Sequence, residues 1–72
     1  MGLAMRYFIK CHSAMDQTFI GPFKFKKDAL IFLRQHGNPE HDSWIFTEAM
    51  MQDDLVKYGK IVVQTPEGFD ND

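Results

Sequence analysis

Gly21-Pro22-Phe23-Lys24-Phe25-Lys26-Lys27-Asp28-Ala29-Leu30-Ile31-Phe32-Leu33-Arg34-Gln35-His36-Gly37 is the stretch that decides the fold. Proline has no N–H to donate and glycine tolerates an unusual φ, so Gly21-Pro22 is expected to end a strand. Lys26 to His36 then carries Ala29, Leu30, Phe32, Leu33 and His36 at helical spacing, a stripe wide enough to face a core. Lys26, Lys27, Arg34 and Gln35 fall on the opposite side, and Asp28 sits in the first turn, where the helix dipole favours a carboxylate. Gly37 supplies a left-handed C-terminal position, and Asn38-Pro39 forbids continuation.

Upstream, Met5 to His12 alternates with period two, which predicts a strand. Met5, Tyr7, Ile9 and Cys11 form an uncharged face expected to meet the core. Phe8 is left with Arg6, Lys10 and His12 on the charged side. Ser13-Ala14-Met15-Asp16 reads as a hairpin connection and Gln17 to Ile20 as the returning strand.

Downstream, Pro39-Glu40-His41-Asp42 is a polar loop. Aromatic and β-branched residues at Trp44-Ile45-Phe46-Thr47 favour a strand over Ser43 to Ala49, followed by a short helical turn over Gln52 to Tyr58 capped by Gly59. Ala49-Met50-Met51-Gln52 favours helix, so one helix from Ser43 to Tyr58 stays open as the alternative. Lys60 to Thr65 is the final strand, ended by Pro66. The sum is a single α+β domain over residues 1–66, β-β-α-β-short α-β: an antiparallel sheet of three or four strands with one long helix packed on one face. Residues 67–72 are expected to form a flexible acidic tail.

The bulk numbers fit that reading. A chain of 72 residues buries only roughly 60% of the surface its unfolded form exposes, so one compact core must suffice. The composition is globular, 44% hydrophobic with seven Phe and five Met, and 25% charged. A net charge of −2 gives no general grip on DNA or an acidic membrane. The one cysteine, Cys11, fits a reducing compartment. The first residues show no signal peptide, and no run approaches the length of a membrane span, so a cytoplasmic protein is expected.

Ile20-Gly21-Pro22-Phe23, with Asp28-Ala29 and then Leu30, Phe32 and Leu33, resembles a motif of small phage-encoded and bacterial accessory proteins of unknown function. In them a strand, Gly-Pro-Phe, a Ser and an acidic-Ala pair lead into an amphipathic helix closed by Gly. The resemblance covers Gly21 to Gly37 and implies that the Phe packs beneath the helix while the Ser caps it. Phe25 stands at the Ser position here and can accept nothing from the first-turn amides. A phage-encoded origin would place the protein in the host cytoplasm. The motif is a packing device and implies no activity.

No set of residues spells out catalysis. Cys11 and His12 are neighbours on a strand and point to opposite faces, and His36 and His41 lack zinc-site spacing, so no metal or other cofactor is expected. Ser13 and Ser43 have no nucleophile motif, and no phosphate loop is present, which argues against an enzyme. Two surfaces compete as binding sites. Met50 and Met51, followed by the acidic Asp53 and Asp54, suit a protein partner; the bland reading is a core Met51 and a helix N-terminus, and Ile31, off the helix stripe, is either a wide core flank or a second exposed anchor. Phe23-Lys24-Phe25-Lys26-Lys27 interleaves rings with cations and suits single-stranded nucleic acid through Lys24, Lys26 and Lys27; the bland reading is a solvated helix edge. The leading expectation is a non-catalytic protein-binding module acting on a host protein. Nucleic-acid binding is the alternative, and self-association as a homodimer through a free sheet edge is a third reading.

Overall fold

A computed structural model describes residues 5–11 and 17–66. The hairpin connection read at Ser13 to Asp16 and the tail at 67–72 lie outside the described residues. The fold is α+β, with four strands, β1 (Tyr7–Cys11), β2 (Thr18–Phe23), β3 (Ile45–Thr47) and β4 (Val62–Gln64), and two helices, α1 (Lys26–Gln35) and α2 (Glu48–Tyr58). A 3-10 turn at Asp42–Trp44 leads into β3. The sheet order is β3-β1-β2-β4.

β1 pairs antiparallel with β2, as expected of an opening hairpin, and also with β3. β2 does not stop at Gly21-Pro22. Ile9 faces Ile20, whereas Tyr7 faces Phe23, so the register gains one residue on β2 across from Phe8. Gly21 and Pro22 occupy this bulge, where a missing N–H breaks no ladder bond. The Gly21–Pro22 peptide bond is cis. Glycine is required at 21 for space: a Cβ there would lie 2.6 Å from Phe8 Cδ2 and 2.9 Å from the Tyr7 carbonyl oxygen.

α1 begins where the stripe predicts. Phe25 is its N-cap in extended conformation and gives no side-chain bond to the first turn, because a phenyl ring has no acceptor to offer. Its end is closed by two backbone bonds, Gly37 N–H to the Arg34 carbonyl (3.0 Å) and Asn38 N–H to the Leu33 carbonyl (2.9 Å), with Gly37 at φ +75°. This is the Schellman arrangement that only a residue tolerant of positive φ allows.

The second helix differs from the short turn expected at Gln52 to Tyr58. It starts at Glu48, because Thr47 caps it by accepting the Met50 N–H (3.3 Å), and the strand before it shrinks to Ile45–Thr47. Gly59 ends α2 at φ +77°, its N–H bonded to the Leu55 carbonyl (2.8 Å). A full helix returns the chain along a face of the sheet, so β4 enters parallel to β2 and not antiparallel.

The largest departure concerns the faces. Ile9, Phe23, Ala29, Leu33 and Ile45 form one core beneath α1. Phe8, Phe19 and Met51 form a second core beneath α2 on the other side. Two helices therefore sandwich the sheet, where one helix on one face was expected. Phe8, expected on a charged outer side, is 3% exposed. Neighbouring strand residues point to opposite faces, so burying both Ile9 and Phe8 requires a cover on each.

Candidate functional site

Three surfaces hold the side chains that could bind something. The first is α2. Met51, Asp54, Leu55 and Tyr58 recur at helical spacing toward the sheet, with Met51 4% exposed between Phe8 and Phe19. Asp54 accepts a hydrogen bond from Lys10 Nζ at 2.9 Å. Strand alternation puts Lys10 on the Phe8 side, and its amine lies 5.4 Å from the Phe46 ring centre and 5.6 Å from that of Tyr58. This half-buried pair ties β1 to α2, a contact of the kind an unpaired buried charge could not replace. Of the residues expected to meet a protein partner, Met51 is thus core and Asp54 is already paired within the fold. Met50 and Asp53 stay exposed, and Ile31, on α1 across the sheet, is half-buried. Asp53 and Asp54 lie mid-helix and not at its start, because α2 begins four residues before Gln52.

Val56 escaped notice in the sequence although it is 85% exposed. Its signal was available: Val56 is five positions after Met51, on the opposite side of the helix. Met50, Tyr58 and Val63 join it among the exposed large hydrophobic side chains. Val63 pairs with Phe19, so it too emerges on the α2 side of the sheet.

The second surface is the start of α1. Phe23 is fully buried, whereas the Phe25 ring is 51% exposed, with Lys24 Nζ 5.8 Å and Lys27 Nζ 5.5 Å from its centre. Lys26 turns away to Asp42 at 3.6 Å, an exposed pair of small energetic weight. The three lysines are brought together around the ring only in part.

The third is a cleft of about 270 Å³ between α1 and the sheet. Ile9, Ile20 and Leu33 line it together with the aromatic residues Phe32 and Trp44. His36 stacks on Phe32 at 4.2 Å and His41 packs on Trp44 at 4.9 Å, so both histidines serve as ring partners. Cys11 also lines the cleft, and burial pushes its thiol above the ordinary 9.0, the reverse of what a nucleophile needs.

Among the described residues no group of three or more His, Cys, Asp or Glu is placed to hold a metal ion. No helix of the described residues is long and apolar enough to cross a membrane. No protein-family model, curated protein or solved structure matches this chain at a significant level.

Proposed function

We propose that this chain is a small non-catalytic protein-binding module, an accessory factor of the phage type that acts on a host protein in the cytoplasm. The observation that carries the reading is the outer side of α2. Of the six exposed large hydrophobic side chains among the described residues, Met50 and Val56 stand out from α2 away from the sheet, and Tyr58 and Val63 are exposed on the same side of the sheet. The outer side of α1 offers solvent Lys26, Lys27, Arg34 and Gln35 instead. Apolar side chains held out on a regular helix suit a partner that desolvates them, and an exposed Asp53 beside them suits a basic rim on that partner. Met50 adds an adaptable thioether.

Affinity capture with Met50→Ser/Val56→Ser tests this. Both positions are outside the cores, so circular dichroism should be unchanged while the captured protein is lost. Retention of the same partner by the double variant removes α2 from the interface.

A second reading, single-stranded nucleic-acid binding, is favoured by the exposed Phe25 ring between Lys24 and Lys27, since a base stacks on such a ring while phosphates meet the amines. On that reading an oligonucleotide binds below micromolar Kd at physiological salt, and replacing Lys24, Lys26 and Lys27 with Ala lowers both affinity and its salt dependence.

A further inference from the structure

We propose that the cleft between α1 and the sheet binds a small, flat, uncharged aromatic molecule, a site separate from the outer surface of α2. Its lining comes from separate elements: Ile9 and Ile20 from adjacent strands, Phe32 and Leu33 from α1, and Trp44 from the 3-10 turn. A volume of about 270 Å³ is near the lower limit of small-molecule sites and suits one ring with a short substituent.

The chemistry of the lining selects the ligand. Lys10 is the one charged residue among the described lining, and it contributes backbone, because its amine is on the opposite face, bonded to Asp54. A charged ligand entering the cleft would lose hydration and, among the described residues of its lining, meet no opposite charge, so neutral molecules are preferred. Two rings favour a flat ligand, since aromatic contacts in offset or edge arrangements add to plain burial. Those rings are held in place beforehand: Phe32 lies between Phe23 at 5.5 Å and His36 at 4.2 Å, and Trp44 is against His41 at 4.9 Å. A preformed wall spares a ligand the cost of ordering it. Asn38 lies in the lining, and its side-chain amide can both donate to and accept from one polar group on the ring.

The probe is benzamide, compared with benzoate and benzylammonium, which share its ring and differ in charge. Amide and side-chain NMR shifts of the whole chain report the site, and alkylation of Cys11, the one cysteine of the sequence, gives an independent readout. Benzamide should saturate shifts at Ile9, Ile20, Leu33 and the Trp44 indole with a Kd at or below ~1 mM. At ten times that Kd about a tenth of the molecules remain open, so Cys11 alkylation should slow ~10-fold. Both charged analogues should bind at least ~10-fold more weakly. Cys11→Leu, which fills the cleft, should abolish the benzamide shifts; if that variant fails to fold, protection of Cys11 in the unaltered protein still decides. Equal binding of the three probes, or no saturation by ~10 mM benzamide, would overturn the proposal. So would a preference above ~10-fold for N-acetyl-tryptophanamide, which would make the cleft a pocket for a partner's side chain.

Discussion

The two faces of the sheet are covered by helices of nearly equal length, yet the helices are written differently. α1 runs for 10 residues and α2 for 11. α1 buries Ala29 and Leu33 on Phe23 and Ile9, and turns lysines and an arginine to solvent. α2 buries Met51 on Phe8 and Phe19, fixes itself with the Lys10–Asp54 pair, and leaves Val56 and Met50 in solvent. α1 keeps the apolar side chains of its stripe in the core or along the cleft. α2 carries apolar groups that folding does not use, which is why the proposed interface is placed there.

The comparison breaks first at the cores. Leu33→Ala should cost roughly 2–5 kcal/mol and Phe19→Ala roughly 3–5 kcal/mol in urea unfolding, because each deletes a buried side chain from its own core. A large loss at Leu33 with none at Phe19 would reduce the fold to one working face. Next is the contact that brings Phe8 under α2. Gly21→Ala forces a methyl group against the Phe8 ring and the Tyr7 carbonyl, an overpacking cost of about 1–3 kcal/mol. Thermal melts should show this loss, and an unchanged midpoint would mean that the bulge relaxes freely.

Helix starts give a smaller and opposite pair of effects. Thr47→Ala removes a capping oxygen and should cost about 1 kcal/mol, whereas Phe25→Ser supplies one at an exposed position and should gain about as much. Both are read from denaturant midpoints. A loss above roughly 3 kcal/mol at Phe25 would mark its ring as core after all. The smallest effect is pH-dependent. The folded thiol of Cys11 ionises above 9.0, so the unfolded chain releases its proton first as pH rises. The contribution of this thiol is therefore constant below about pH 8, and stability declines on its account as the pH passes 9.0. Cys11→Ala should abolish that part of the alkaline decline.

Legibility in the sequence followed the range of the signals. α1 was readable to within a residue because its stripe, Asp28, Gly37 and Pro39 are all local. The end of β2 was not, since the bulge answers to Phe8 on another strand. α2 was cut short because the aromatic run through Phe46 favours strand and hid Thr47 as a cap, which also severed Met51 from Asp54, Leu55 and Tyr58. The face of Phe8 was misassigned because Arg6 and Lys10 share its register. A charge usually marks the solvent side, but Lys10 meets Asp54, 44 residues away, which no local pattern reveals. The cleft was invisible for the same reason, its lining being gathered from separate elements.

Phe8→Ser examined by urea unfolding beside Arg6→Ser is the most direct test of the two-core account. Both residues lie in the register that sequence patterning assigns to solvent, but only Phe8 is buried. The account predicts a loss of at least ~3 kcal/mol for Phe8→Ser and a change within about 0.5 kcal/mol for Arg6→Ser. Equal, small changes at both positions would contradict it and leave α2 without a core of its own.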